Sequence, residues 1–552
     1  MSSALKGPGG RKGFLIHLAV ILLGALLFAA SFPNLLTVNG IPFLGWIAFV
    51  PVFWVVHRVS PAASVFFGAL YGFSAYGLFN YWLSVFHPLA GLIVGFIYLC
   101  YFAVLFPLLK LASILFPHKG YILQWLLWIA YEYLRTLGFL GYPYGIAGYS
   151  QWRILPVIQI AGIFGVWGVS ALVVFPSAYL AAAIKDRQPL ERPYAGLIRP
   201  IRAFLSHEWA GALVWGIALA AALIYGCVSP ADYSAAPKVR FALIQHNTDP
   251  WRGDIADYRR NYEILKRLSL EAVAAEPKPD MVVWSETAFV PRIYWHTMYR
   301  DDHESWELVK ELLAFLETQD VPYIIGNDDG RREIMPSGSW ERVDYNAVML
   351  FEGSRIARIY RKLHLVPFTE HFPYEKQLPW VYKALKAADT HFWKAGDEAT
   401  VFEAPLVIKF PMEKIKFSTP ICFEDIFGYL TRDFVRNGAE IIVNLSNDAW
   451  SKSVPAQMQH LSMAVFRAVE NRRSMVRSTA SGQTCAIDPN GRILAMAEPF
   501  TESWLNVEVP VIEMETSYTR WGDLWPKLFT AAALIMLILG IGLGIIKKGR
   551  NR

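Results

Sequence analysis

Lys414-Ile415-Lys416-Phe417-Ser418-Thr419-Pro420-Ile421-Cys422-Phe423-Glu424-Asp425-Ile426-Phe427 is the stretch on which the reading of this chain turns. An apolar strand, Ile415–Ile421, ends at Cys422, and a helical pattern runs from Phe423 to Asn437. A thiol at a strand-to-helix turn is exposed at the sheet edge beside the positive end of a helix, and both conditions favour thiolate chemistry. The segment that carries it has the polarity of a soluble domain, yet apolar runs of membrane-spanning length flank it on both sides. The sequence therefore predicts a membrane enzyme built around one cysteine.

Composition supports this. The chain has 552 residues, 54% of them hydrophobic, 15% aromatic and 18% charged, which is too apolar for an ordinary soluble protein and long enough for two units. A net charge of +6 is modest, and the basic residues gather at the membrane edges instead of forming one stripe, which argues against nucleic acid as a partner.

Eight apolar stretches read as spans: Phe14–Phe32, Ile41–Val56, Ala63–Phe86, Leu89–Phe116, Tyr121–Leu137, Val157–Ile184, Trp209–Cys227 and Leu528–Ile546. The first is read as retained, because no convincing small-residue cleavage site follows it. Lysine and arginine set the orientation. Lys6, Arg11 and Lys12 precede the first span, Lys185, Arg187, Arg192, Arg199 and Arg202 join the sixth to the seventh, and Lys547, Lys548, Arg550 and Arg552 end the chain. With eight spans all three groups share one side, while Pro33–Gly40 and His87–Pro88 on the other side carry no basic residue. The region from Ser229 to Lys527 is then extracytoplasmic. The expected division is a seven-helix membrane domain over 1–229, a catalytic domain over 230–515, and an eighth span with a basic cytoplasmic tail over 516–552.

The large segment reads as α/β. Strands are expected at Val239–Gln245, Met281–Trp284, Tyr323–Gly326, Ala347–Phe351, Arg355–Tyr360, Ile415–Ile421, Ile441–Leu445, Met475–Thr479, Thr484–Ile487, Arg492–Met496 and Trp504–Val507. Helices are expected at Ile255–Ala275, Glu304–Thr318, Phe423–Asn437 and Ala456–Arg472. Three strand ends carry polar groups suited to thiol acylation. Val282-Val283-Trp284-Ser285-Glu286-Thr287 places a carboxylate past a buried strand, Tyr360-Arg361-Lys362-Leu363-His364 places a lysine past an edge strand, and the third end is Cys422. In such a set the thiol attacks, the carboxylate moves protons and the ammonium offsets negative charge on the tetrahedral oxygen.

The order Glu286, Lys362, Cys422 in these surroundings resembles the nitrilase (carbon–nitrogen hydrolase) superfamily. With the membrane spans, Tyr360-Arg-Lys-Leu-His-Leu-Val-Pro-Phe368, Ile421-Cys-Phe-Glu424 and Ser446-Asn-Asp-Ala-Trp450, the chain is similar to the apolipoprotein N-acyltransferase family. Tyr131-Glu-Tyr-Leu-Arg135, Gln159-Ile-Ala-Gly-Ile-Phe-Gly165, Gly168-Val-Ser170, and Arg477-Ser-Thr479 with Gly482 extend the match. The resemblance implies a multi-pass α-helical membrane domain joined to an extracytoplasmic α/β four-layer αββα sandwich. It further implies a bacterial inner membrane location, with the catalytic domain on the periplasmic side.

The implied activity is the last step of lipoprotein maturation. An acyl chain passes from a phospholipid, through a thioester on Cys422, to the α-amino group of the amino-terminal diacylglyceryl-cysteine of an apolipoprotein, in ping-pong order without nucleotide, metal or other cofactor. Glu286 would take and return the proton, and Lys362 with the Phe423 N–H would stabilise the oxyanion. Glu370 and Glu424 match further family glutamates and would orient Lys362 and the thiol. Three positions depart from the family pattern: Thr369 where glycine usually precedes the glutamate, Phe423 where tyrosine usually follows the cysteine, and Ser451-Lys452 after Trp450.

Other readings use some of the same residues. A membrane-tethered nitrilase-type amidase would use the same trio with water as acceptor, but would not need seven preceding spans; a scaffold would not need the trio. A lone cysteine ending a strand is more often a buried hydrophobe, and His364 or His460 would suit a Cys–His pair. Cys485 is expected to stay a thiol, Cys100 and Cys227 to pack in membrane spans, and none of the four has metal-ligand spacing. Aromatic residues crowd Phe289–Tyr299 and Phe368–Tyr382, which fits either an interfacial lipid gate or ordinary core packing.

Overall fold

The computed structural model describes residues 10–86, 88–185, 198–248, 253–335, 338–387, 392–407 and 412–550. Lys6, His87, Arg187, Arg192 and Arg552, on which part of the charge reading rests, lie outside the described residues. The chain divides into two compact units. One comprises Met1–Pro230, Met458–Ser462 and Trp521–Arg552, and the other Ala231–Gln457 and Met463–Arg520.

In the first unit, six of the described helices are long and apolar enough to cross a membrane: Gly10–Ser31, Pro61–Phe79, Leu89–Leu115, Val166–Ala183, His207–Val228 and Leu524–Ile546. Two of the eight expected spans fall short. Ile41–Val56 breaks into helices Pro42–Gly45 and Val50–Arg58, each with proline in its first turn, where a missing N–H and fixed φ favour a new start. Tyr121–Leu137 is helical only over Gly120–Leu134, a length of about 22 Å against a hydrocarbon core of about 30 Å. Val157–Ile184 is interrupted at Gly165, whose φ of 65° and ψ of −174° suit only glycine. Within the Tyr131–Arg135 motif, Glu132, Tyr133 and Arg135 are buried inside this unit. Glu132 accepts hydrogen bonds from the Ala147 N–H at 2.9 Å and from Trp128 Nε1 at 3.2 Å, and Arg135 donates to the Tyr98 hydroxyl at 2.8 Å. Buried polar side chains of this kind persist only when hydrogen-bonded in this way.

Among the described residues the second unit holds twelve strands: β1 (Lys238–Gln245), β2 (Met281–Trp284), β3 (Tyr323–Ile334), β4 (Trp340–Glu352), β5 (Arg355–Arg361), β6 (Val401–Pro405), β7 (Lys414–Ser418), β8 (Ile441–Ser446), β9 (Ser474–Thr479), β10 (Cys485–Ile487), β11 (Ile493–Met496) and β12 (Ser503–Pro510). They form two six-stranded sheets, β12-β1-β2-β3-β4-β5 and β11-β10-β9-β8-β7-β6. Each sheet has a parallel centre, β1-β2-β3 in one and β7-β8-β9 in the other, with antiparallel neighbours. Every parallel step needs a crossover, and crossovers of one hand place their helices on one face of the sheet. Helices Ile255–Ala274 and His303–Glu317 serve the first sheet, and Gly428–Arg436 and Val454–Asn471 the second.

Strand alternation sorts the side chains. Ala242, Ile244, Val282, Trp284, Tyr323, Ile325, Met349 and Phe351 pack with Leu265, Leu268, Leu308 and Leu312 of the first pair of helices. The opposite faces of the two sheets meet. Ser478 on β9 donates to the carbonyl of Val283 at 3.0 Å and to that of Ile244 at 3.3 Å, across from one sheet to the other. The layer order is helix, sheet, sheet, helix.

Three details differ from the sequence reading. β3 and β4 run on as a long hairpin through residues too polar to suggest a strand. β6 was missed because a five-residue edge strand ending in proline carries little periodic signal. The helix expected over Phe423–Asn437 is a 3-10 turn, Cys422–Ile426, followed by an α-helix that starts only at Gly428, because Phe427 is extended (φ −94°, ψ 108°). Cys422 therefore does not stand at the positive end of an α-helix.

Candidate active site

Parallel strands open their carboxyl ends toward loops, the usual place for a site in an α/β sheet. Glu286 lies two residues past β2, Cys422 four past β7 and Asn447 one past β8. Lys362 follows β5 directly and is wholly buried.

The Glu286 loop turns through Thr287, which is left-handed with φ 46°. It lies against β3 at Gly326. A Cβ there would stand 2.3 Å from the Ser285 carbonyl oxygen and 2.8 Å from the Glu286 Cα, so only glycine permits this path. The carboxylate is held at both oxygens. Asn346 Nδ2 donates to Oε1 at 2.9 Å, and the Asn447 N–H donates to Oε2 at 3.0 Å.

Lys362 Nζ lies 2.8 Å from Glu370 Oε1 and 3.4 Å from Glu286 Oε1. Its backbone is fixed as well: its N–H donates to the Asn346 carbonyl, and its carbonyl accepts from the Gly396 N–H, both at 2.8 Å. Burial alone would lower the ammonium pKa. The charges of Glu370, then Glu286, then Cys422 outweigh it and leave the pKa raised, so the lysine is a cation at neutral pH. Burial pushes the Glu370 carboxyl up, against the pull of Lys362. Its Oε2 accepts from the Val366 N–H at 2.9 Å.

Cys422 is half-buried and left-handed, with φ 47°. Glu424, two residues on and fully buried, ties this turn to the lysine strand. Its carboxylate accepts from the Ile421 N–H at 2.7 Å, the Leu363 N–H at 2.7 Å, the His364 N–H at 3.0 Å and the Tyr360 hydroxyl at 2.7 Å. Burial nevertheless raises its pKa. Asp425, next in sequence, forms a fully buried ion pair with Arg477 of β9, whose other nitrogen is 3.7 Å from Asp448.

The three departures from the family pattern have local explanations. Thr369 lies outside the left-handed region, and its neighbour Phe368 takes that conformation instead, with φ 65°. The Phe423 ring packs against Phe427 at 5.1 Å between centroids. Ser451 donates to the Asp448 carbonyl at 3.0 Å, and Lys452 makes the next turn at φ 46°.

The side chains of the other candidates are engaged elsewhere or buried. The His364 ring lies tilted against Phe427, 3.9 Å between centroids, and shares a 2.9 Å hydrogen bond with the Tyr429 hydroxyl. Burial, then Lys362, lowers its pKa to about 4, so it is a poor proton acceptor. His460 belongs to the first unit. Cys485 is buried on β10, and burial pushes its thiol up to about 12. Among the described residues, no group of three or more His, Cys, Asp or Glu is placed to hold a metal ion.

Sequence reasoning missed Asn346 and Asn444, and it quoted Asn447, Asp448 and Arg477 within motifs without giving them, or Asp425, a role. The available signal was an amide inside an otherwise apolar strand, as in Tyr345-Asn346-Ala347-Val348 and Ile442-Val443-Asn444-Leu445. A buried amide has to be hydrogen-bonded, and so it usually serves a neighbour.

The chain matches two family models: carbon–nitrogen hydrolase over residues 240–517, and apolipoprotein N-acyltransferase N-terminal domain over residues 24–179. It is 43% identical to apolipoprotein N-acyltransferase 1 of Treponema denticola, covering 97% of each chain. It is 46% identical to apolipoprotein N-acyltransferase 1 of Treponema pallidum, over 94% of this chain and 95% of the relative. Apolipoprotein N-acyltransferase of Geobacter metallireducens is 31% identical over 95% of each.

Two outcomes follow from this geometry. Gly326→Ala should displace the Glu286 loop and destabilise the chain by about 1–3 kcal/mol, as overpacking does. Thermal unfolding and acyl-transfer assays would read it, and a fully active variant of unchanged stability would contradict the close contact. Brief treatment of the native protein with iodoacetamide at pH 8 should label Cys422 well before Cys485, whose thiol stays protonated below about pH 12. Peptide mass spectrometry would distinguish this from equal labelling.

Proposed function

The chain belongs to the apolipoprotein N-acyltransferase family, and on that premise we propose that it moves an acyl chain from a phospholipid to an apolipoprotein amino terminus by a two-step, ping-pong route through Cys422. The observation that carries the mechanism is the buried Lys362 ammonium held between Glu286 and Glu370, with Glu424 clamping its strand to the cysteine turn.

In the first step Glu286 takes the Cys422 proton and the thiolate attacks an ester carbonyl of the phospholipid. Lys362 and the Phe423 N–H stabilise the tetrahedral oxyanion. As the ester C–O bond breaks, Glu286 returns the proton to the departing lysophospholipid oxygen, and an acyl thioester remains. In the second step the α-amino group of the diacylglyceryl-cysteine attacks that thioester. Glu286 removes the excess proton, the C–S bond breaks, and the proton goes back to sulfur. A thioester suits an amine acceptor because it is more reactive toward nitrogen than an oxygen ester, and a site that excludes water protects it.

The remaining assignments rest on the family and on the apolar helices. The membrane is the bacterial inner membrane, and the unit that holds Cys422 faces the periplasm. The boundaries at residues 229–230 and 515–516 then mark where the chain leaves and re-enters the membrane region. Helix Pro379–Ala387 has no buried side chain, and its Trp380 is 71% exposed. Such an aromatic, lysine-bearing helix suits a bilayer interface, where lipid enters. By contrast Phe289 is core, and Phe372 is buried beside Phe368. A membrane-tethered amidase is the weaker reading, because relatives named as N-acyltransferases match nearly the whole chain.

Incubation with phospholipid labelled in its acyl chains should give a hydroxylamine-sensitive adduct on wild-type protein and none on Cys422→Ala. Adding a diacylated peptide should move the label to the peptide's amino terminus. Glu286→Gln and Lys362→Ala should lower adduct formation by at least about 100-fold, the scale of losing one proton-transfer or oxyanion group. A label released to water in the presence of the peptide would favour the amidase. Trp380→Ala should slow transfer in lipid vesicles without changing the melting temperature, and unchanged turnover there would remove it from the lipid path.

A further inference from the structure

Asn444 stands inside β8, fully buried, opposite Arg477 of β9. Its Nδ2 donates to two carbonyl oxygens of the cysteine turn, that of Pro420 at 3.1 Å and that of Cys422 at 3.4 Å. Two acceptors fix the amide orientation, because only the NH₂ end can serve both. The Pro420 carbonyl has a second donor in the Leu445 N–H at 3.3 Å, and Ile421 is held by Glu424 and by a parallel bridge to Leu445. The turn is therefore latched upstream of the cysteine without Asn444. What Asn444 adds is a hold on the carbonyl of Cys422 itself.

That hold matters because of peptide geometry. In a trans peptide the C=O of one residue and the N–H of the next point in opposite directions. Drawing the Cys422 carbonyl toward β8 turns the Phe423 N–H away from β8. Cys422 is in the left-handed region, which a residue with a Cβ occupies only when neighbouring bonds hold it there.

We propose that Asn444 is a positioning residue that sets the plane of the Cys422–Phe423 peptide and so aims the Phe423 N–H at the oxygen of the carbonyl under attack. This rests on the reading of Cys422 as nucleophile. Asn444 touches neither the substrate nor the sulfur in this role. It keeps a backbone donor preorganised, which is what makes such a donor effective.

The test uses the full-length protein in detergent–phospholipid micelles, with 4-nitrophenyl palmitate and its thionoester counterpart as acyl donors. The burst of 4-nitrophenol reports transfer of the acyl group to sulfur. Sulfur is a poor hydrogen-bond acceptor, so the thionoester gains little from an oxyanion donor. Asn444→Ala should slow the ester burst by about 10- to 100-fold, slow the thionoester by less than about threefold, and leave Cys422 alkylation by iodoacetamide within about threefold. Asn444→Thr, which fits a strand and keeps one hydroxyl donor, should fall between wild type and Asn444→Ala in its ester-to-thionoester ratio. It carries the test if the alanine variant does not fold. An unchanged ester burst, or ester, thionoester and alkylation rates that all drop together, would overturn the proposal. A wild-type burst that survives Cys422→Ala would instead show that the nucleophile is misassigned.

Discussion

A fully buried ammonium is the constraint around which the second unit is organised. Removing a charge of that kind from water costs several kcal/mol even after relaxation, and only close, well-hydrogen-bonded partners offset it. Lys362 has two, Glu370 at 2.8 Å and Glu286 at 3.4 Å. Two carboxylates exceed one ammonium by a charge, and the surplus is met with neutral donors: Val366 N–H on Glu370, Asn346 Nδ2 and Asn447 N–H on Glu286. The closer pair, with Glu370, anchors the lysine. The longer one leaves Glu286 close to the cation while its position is set by amide donors from two different sheets.

Joining the two sheets at one point is the harder task, because the lysine and glutamate belong to the first sheet and the cysteine to the second. Glu424 solves it by accepting backbone hydrogen bonds from both sides, at Leu363 and His364 beyond β5 and at Ile421 before the cysteine. Its carboxylate is buried and saturated with donors, the arrangement of a clamp more than of a proton carrier. Arg477 braces the turn within the second sheet, through Asp425 and Asp448. The Ser478 hydroxyl adds hydrogen bonds from β9 to backbone carbonyls of β1 and β2.

Much of this was legible in the sequence, and the reasons are specific. Strands such as β2 and β8 are short, apolar and bounded by polar loops, so their ends, and hence Glu286 and the Ser446–Trp450 loop, could be placed directly. Glu370 and Glu424 could be named from family resemblance, and the structure places them against Lys362 and the cysteine turn. The membrane spans were less legible, because hydropathy counts apolar residues and does not register the breaks at Pro42, Pro51 and Gly165. Nor does it measure how short Gly120–Leu134 is. The cysteine turn was misread as a helix start because Phe423–Ile426 has helical periodicity, while the left-handed Cys422 and the extended Phe427 are imposed by tertiary bonds. Asn346 and Asn444 were invisible for a related reason: an asparagine in a strand shows that a polar partner exists, but the partner lies across the fold.

The same bonds bear on what activates the thiol. With no α-helix beginning at Cys422, the helix dipole contributes little, since its effect falls off within the first turn. Lys362 is a cation that couples to the sulfur, and the Cys422 charge helps to raise its pKa after those of Glu370 and Glu286. On the proposed route one ammonium would serve both the thiolate that forms when Glu286 takes the proton and the oxyanion that follows it, as negative charge moves from sulfur to the carbonyl oxygen. A fixed, buried lysine would suit that proposed sequence better than a mobile one, because the charge would migrate over a short distance while the counterion stays where Glu370 holds it.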